Sequence, residues 1–238
     1  MKIKQYIIKC IQRPSNLKAR FFFWNTTKTL CLQVPYQSQF ASSLLVKDIL
    51  TWEDDPLWNT WDIESLEEYK KRSMNVCGMA CLSMILKHIW TDLVLDPIAL
   101  WKQAINYDVY KADIHSSNGL SPMYYKEFVR YVRKEYGLIC SILQEVTGLL
   151  LYSLISEWKY CIASVSPKIR NYNESYSGST WGHLVLIVWM TIQKWSIESI
   201  KIHNPSGWSE NNSQKYHSIP RKIFIKYWNR RILVLESK

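Results

Sequence analysis

The run Trp181-Gly182-His183-Leu184-Val185-Leu186-Ile187-Val188-Trp189-Met190 is the strongest constraint on this chain. A β-strand sends alternate side chains to opposite faces, so an apolar run without a polar break needs cover on both. The fold must therefore place material on both sides of a sheet. A second strand, Ile197 to Asn204, follows the connection Thr191–Ser196 and stops at Pro205 and Gly207. Pairing 183–190 with 197–204 as an antiparallel hairpin sets Met190 against Ile197 and His183 against Asn204. Opposed residues hold their Cβ atoms about 5 Å apart, so the Asn204 amide can fix one imidazole nitrogen and leave the other free.

A helix precedes these strands. After Cys77, the residues Ala80, Cys81, Met84, Ile85 and the pair His88-Ile89 recur at three- and four-residue steps, the period of an amphipathic helix facing a core. Cys77 falls in its first turn, with Ser73 or Asn75 as cap. The free N–H groups of a helix start favour thiolate over thiol, and the thiolate is the nucleophile. The same spacing also suits Cys77 and Cys81 as two small buried hydrophobes, and Cys81, one turn below, is read as core. His88, His115, His203 and His217 are read as structural, with His203 pointing away from the face that carries Asn204.

Together, Val34-Pro35-Tyr36-Gln37-Ser38-Gln39, Cys77-Gly78-Met79-Ala80-Cys81-Leu82-Ser83-Met84-Ile85, Gly182-His183 and His203-Asn204-Pro205 resemble the C39-like cysteine peptidases of the papain-like fold. That family includes domains that cut leader peptides after double-glycine motifs. The resemblance spans roughly residues 33 to 236. It implies Cys77 as nucleophile, His183 as general base, Asn204 where the family carries Asp or Asn, and Gln39 as oxyanion donor. The connection from Gln39 to Cys77 is longer than the family's usual one, and Gln37 is the alternative donor. Asparagine replaces the aspartate common among double-glycine processors, yet a neutral amide still orients a histidine in a Cys-His-Asn arrangement. The implied fold class is α+β, an N-terminal helical half whose nucleophile helix packs on a C-terminal antiparallel sheet.

The remaining segments fill this frame. Residues 1–33 form a basic arm with no carboxylate, the first being Asp48, so much of the net +10 sits at the front. Such an arm can rest on an anionic membrane surface in a salt-dependent way. Nothing in the chain matches a nucleic-acid-binding motif, and no nucleic acid partner is expected. Residues 34–238 form one domain with an insertion at 40–73, in which Asp62 to Lys71 reads as a short surface helix and a candidate groove wall. Asp96-Pro97 caps a helix to Asn106 with Leu100, Trp101 and Ile105 on one side; Ser121-Pro122 opens another that ends at Gly137. Strands are expected at 139–143 and 160–165, a helix at 149–158, and two strands, or a helix and a strand, over 219–235. Asn171 to Thr180 reads as a loop bordering the groove.

A chain of 238 residues with 47% hydrophobic content and only 7 Gly and 8 Pro is long enough, and apolar enough, to bury a core without staples. The 12 Trp and 15 Tyr are read chiefly as core or groove lining. Its six cysteines therefore fit free thiols in a reducing, cytoplasmic compartment. No metal or other cofactor is expected, since Cys77 and Cys81 have no second ligand pair. No run reaches the ~18 apolar residues of a membrane span. The expected chemistry is acyl transfer from a peptide or protein substrate to water, by a cysteine peptidase. Two alternatives stay open on the same residues: an acyltransferase or peptide cyclase, and a catalytically silent peptide-binding domain.

Overall fold

A computed structural model describes residues 28–51, 53–93, 95–113, 115–116, 119–172, 182–193 and 196–237. Most of the basic arm and residues 173–181, which hold most of the loop expected at 171–180, lie outside the described residues. In chain order the elements are β1 (Lys28–Cys31), α1 (Val46–Leu50), α2 (Leu66–Ser73), α3 (Cys77–Ile89), α4 (Pro97–Ile105) and α5 (Tyr125–Tyr136). Then follow β2 (Ile139–Leu143), α6 (Gly148–Ser156), β3 (Tyr160–Val165), β4 (His183–Gln193), β5 (Ser196–His203), β6 (His217–Pro220), α7 (Arg221–Tyr227) and β7 (Trp228–Glu236). The strands form one seven-stranded antiparallel sheet in the order β2-β7-β3-β4-β5-β6, and β1 continues the β3 edge of β4. Because Lys28–Cys31 pair with β4 and Leu32 is buried, the arm joins the sheet before residue 33.

The apolar run in β4 does what its pattern demands. Leu184, Leu186 and Val188 enter a core shared with α3, α4 and α5, whereas Val185, Ile187 and Met190 enter a second core beneath α6 and α7. The hairpin register differs from the expected one. Strand β4 continues through Gln193 and β5 begins at Ser196, so Met190 faces Ile200 and Leu186 faces His203. The longer pairing sets Ile192 opposite Ile197 and buries both, where a six-residue turn would leave Ile192 in water.

Local chemistry explains the helix bounds. The Asp96 carboxylate accepts from the N–H groups of Ile98 and Ala99, both at 2.8 Å, a cap worth about 1 kcal/mol. Leu100 and Trp101 are buried as expected, but Ile105 is exposed at the C-terminal end of α4. Helix α5 starts at Tyr125 rather than Ser121. Residues 120–121 are held extended, Leu120 bridging Ala112 and Ser121 exchanging hydrogen bonds with Lys111, so the chain is free to coil only afterwards. It ends at Gly137 (φ 64°) as the sequence signals. In the 40–73 insertion the buried Asp55 carboxylate accepts from the N–H groups of Ser42 and Leu57 and from the Tyr69 hydroxyl, which pins the segment against α2. Tyr69 is fully buried, so α2 is a half-buried helix, not a purely surface one. Among the described residues, no helix is long and apolar enough to cross a membrane.

Candidate active site

Helix α3 points its first turn at the start of β4. A Cβ built on Gly78 would lie 2.6 Å from Met123 Sδ and 3.0 Å from Leu184 Cδ1, so a larger residue there would have to push these two side-chain ends aside. Neither Ser73 nor Asn75 caps α3. Val76 occupies the cap position without a side-chain bond, while Ser73 Oγ and Asn75 Nδ2 donate to the carbonyls of Lys70 and Lys71 at the end of α2. The sequence pattern hid a tight α2–α3 junction that takes both side chains. As a result, the N–H groups at the head of α3 are left to other acceptors.

Cys77 is half-buried and lines a cavity of about 840 Å³ together with Gly182, His183 and Leu184. Burial pushes its thiol above the ordinary range. The backbone N–H groups of Leu184, Gly78 and Cys77 itself, and the Arg170 guanidinium, pull in the opposite direction without winning. The thiolate expected from the helix start is thus outweighed by desolvation, and the resting group is the thiol. Cys81 is fully buried, and its Sγ lies 3.7 Å from the Leu184 carbonyl oxygen. Cys31, Cys77, Cys81, Cys140 and Cys161 are all free thiols.

The His183 ring is buried, and its Nε2–H donates to Asn204 Oδ1 at 2.7 Å. Asn204 lies beyond the paired part of β5, in a turn closed by Gly207 N–H donating to the Asn204 carbonyl at 3.0 Å. It meets the imidazole from this turn rather than from directly across the hairpin. Occupation of Nε2 by the amide fixes the tautomer, leaving Nδ1 as the basic nitrogen. Burial first, and Arg170 second, lower the His183 pKa to about 3 against the pull of Asn204, so the imidazole is neutral at ordinary pH.

Two residues of this cluster were not singled out in the sequence. Ser206 Oγ lies 3.2 Å from His183 Nε2, and Arg170 donates to that hydroxyl from Nε and a terminal nitrogen at 3.2 and 2.9 Å. Arg170 sits in a 3₁₀ turn, Pro167–Asn171, directly after β3. The X-Pro step at Ser166-Pro167 was the available signal for a sharp turn there, but nothing in the sequence tells where that turn aims its arginine.

Val34 to Gln39 is stitched to the Asn204 turn. Val34 O accepts from His203 Nε2 at 2.9 Å, the Tyr36 hydroxyl donates to Asn204 O at 3.1 Å, and Gln39 N–H donates to Pro205 O at 3.0 Å. His203 is buried between Tyr36 and Tyr216, turned away from His183 as expected. The Gln39 amide is buried, and its Nε2 donates to Ser73 O at 2.9 Å, next to the α2–α3 junction. Its Oε1, like Asn204 Nδ2, is buried with no partner among the described residues. Gln37 instead accepts from Lys87 Nζ at 2.6 Å, ten residues along α3 from Cys77. Cys77, His183 and Asn204 are thus brought together, Gln39 sits behind the junction that delivers Cys77, and Gln37 is remote.

The cavity walls come from Met74 and Asn75, from Lys111 to Glu127, and from β2, β3 and β7. None of the described residues among 40–73 lines this cavity, because Asp55 and Tyr69 fold the insertion back on itself. Among the described residues, no three His, Cys, Asp or Glu side chains are grouped to hold a metal ion.

The model of the Peptidase_C39 like family matches residues 31–232. The crystal structure of a Bacillus anthracis protein assigned as a C39-like peptidase is similar over 89% of this chain and 98% of its own, with a TM-score of 0.53 at 13% identity. The peptidase domain of Streptococcus ComA, a bifunctional ABC transporter involved in quorum sensing, is similar over 69% of this chain and 93% of its own (TM-score 0.44, 13% identity). No curated protein matches the sequence. At 13% identity the Bacillus anthracis structure speaks for a shared fold and not for a shared substrate.

Proposed function

The chain belongs to the Peptidase_C39 like family, and on that premise we propose that it is a cysteine peptidase that cleaves a peptide or leader-peptide substrate with Cys77, His183 and Asn204. One observation carries the reading: Cys77 and His183 line the same cavity while Asn204 holds Nε2 of the imidazole, so that Nδ1 is the nitrogen left to accept a proton.

The resting pair is neutral, so the thiol proton moves to His183 Nδ1 as Sγ bonds to the carbonyl carbon. Negative charge develops on the carbonyl oxygen. The uncapped N–H of Cys77, with the Gln39 Nε2 hydrogen that the Ser73 carbonyl does not take, is the donor pair proposed to meet it, each well-aimed donor contributing about 3 kcal/mol. Collapse breaks the C–N bond, His183 returns its proton to the leaving amine, and a thioester remains. Water then adds with its proton passing to His183, the C–S bond breaks, and the sulfur recovers the proton as the free acid leaves.

Degenerate peptide pools incubated with the protein in H₂¹⁸O test this. New carboxylates should appear, each carrying one labelled oxygen, and Cys77→Ala or His183→Ala should abolish them. Cleavage that survives Cys77→Ala would overturn the assignment.

A further inference from the structure

The cavity at Cys77 continues outward between the Lys111–Glu127 segment and the end of the sheet, and its charge there is one-sided. Three of its lining residues are cations: Lys111, Lys126 and Arg231. The carboxylate among the lining residues, Glu127, is engaged by Arg130 at 3.0 Å. None of the three cations has a carboxylate partner among the described residues. Two of them are held over aromatic rings, Arg231 5.6 Å from the Tyr125 centroid and Lys111 5.6 Å from that of Tyr124. Stacking of this kind fixes the position of a cation without neutralising it, so the charges remain available to an incoming anion. Arg231 is half-buried beside Asn229, whose amide donates to Ser164 Oγ at 3.0 Å and whose Oδ1 accepts from the backbone N–H of Arg231 at 3.0 Å. Asn229 thus fixes the backbone at Arg231 while the Tyr125 ring places its guanidinium, a planar fork whose geometry matches a carboxylate.

We propose that this arm of the cleft recognises acidic side chains of the peptide substrate on one side of the scissile bond, with Arg231 as the principal contact and Lys111 and Lys126 as flanking charges. The proposal rests on the peptidase reading for the identity of the ligand as a peptide. The predicted binding does not itself need catalysis.

The test uses Cys77→Ala protein and fluorescein-labelled dodecapeptide pools, one rich in Glu and Asp, one in Gln and Asn, one in Lys and Arg, followed by anisotropy. The acidic pool should bind at least ten-fold tighter than the amide pool, a gap that narrows as salt is raised. Arg231→Gln, Lys111→Gln and Lys126→Gln together should close it. A control that removes three cations elsewhere, Lys134→Gln, Arg221→Gln and Lys222→Gln, should leave it open. Equal binding of the acidic and amide pools, or equal loss in the control, overturns the inference whether or not the wild-type protein cuts peptides. Absence of cleavage with the acidic preference intact would instead count against the peptidase reading alone.

Discussion

Replacing Asn204 by aspartate puts a carboxylate in contact with the imidazole and allows the electrostatics of the site to be worked through. The Oδ1–Nε2 distance is 2.7 Å, so the centres of charge of a carboxylate and an imidazolium there stand about 4 Å apart. At an effective dielectric of about 20 the attraction is roughly 4 kcal/mol, equivalent to about three pH units. In the native site His183 sits at about 3. Asn204→Asp should therefore carry it to roughly 6. The sign is unambiguous: a higher pKa means that the base is already protonated at mildly acidic pH and unable to accept the thiol proton. Measured as kcat/KM against pH for the proposed peptidase activity, the native protein should show no acid limb from His183 while it remains folded, and Asn204→Asp should lose activity below about pH 6. Asn204→Ala supplies the uncharged control. It removes the acceptor for a buried N–H, costing about 1–3 kcal/mol, or roughly 5- to 150-fold in rate, without moving the acid limb upward. Aspartate also removes the partnerless Nδ2, so the variant does not add an unsatisfied donor to the core. If Asn204→Asp has the same acid limb as the native protein, or if Asn204→Ala shifts as far, the assignment of Asn204 as the partner of a neutral base is wrong.

Two further outcomes concern the scaffold. A Cβ on Gly207 would lie 2.0 Å from the Ser213 carbonyl oxygen and 2.4 Å from its carbon, so Gly207→Ala must displace the turn that carries Asn204. We expect a loss of about 1–3 kcal/mol in urea unfolding together with a fall in kcat, and unchanged values of both would show that the turn is dispensable. The buried imidazoles of His183 and His203 have pKa values near 3 and 4, below the ordinary 6.5. The unfolded chain binds their protons first, so this stability is complete above pH 6.5 and declines as pH falls towards the folded values. From pH 6.5 to 4.5 that is two units for each ring, about 5 kcal/mol together, visible as a falling urea midpoint by Trp fluorescence; His203→Gln should flatten the slope by about half.

How much of this was legible in the sequence depends on the range of the force involved. Burial of β4 on both faces, strand β3 at 160–165, the end of α5 at Gly137 and the core placement of Cys81 all follow from periodicity and turn chemistry, which act over a few residues. The hairpin register did not, because it is decided by where Ile192 and Ile197 find cover, and that cover comes from α6 and α7 and from the far strands of the sheet. The late start of α5 is decided by pairing of Leu120 and Ser121 with residues 111–112, a contact that propensity does not encode. Arg170 is separated from Ser206 by 36 residues and was invisible until both were folded.

The protonation state of the site follows from the same distinction. A helix start lowers a thiol's pKa when the sulfur is wet, but here the sulfur and the imidazole are both largely removed from water, which favours the neutral form of each. Arg170 acts on the two groups in opposite chemical senses, stabilising a thiolate and opposing an imidazolium. Its charge therefore favours one member of an ion pair of the two while disfavouring the other. A site of this kind gains nothing from holding separated charges before the substrate arrives. On the proposed mechanism, proton transfer to His183 accompanies formation of the S–C bond, and the negative charge that develops on the carbonyl oxygen meets the N–H donors at the head of α3. The tautomer fixed by Asn204 is then the decisive contribution of the scaffold, because a neutral base acts only through the nitrogen that lacks a proton.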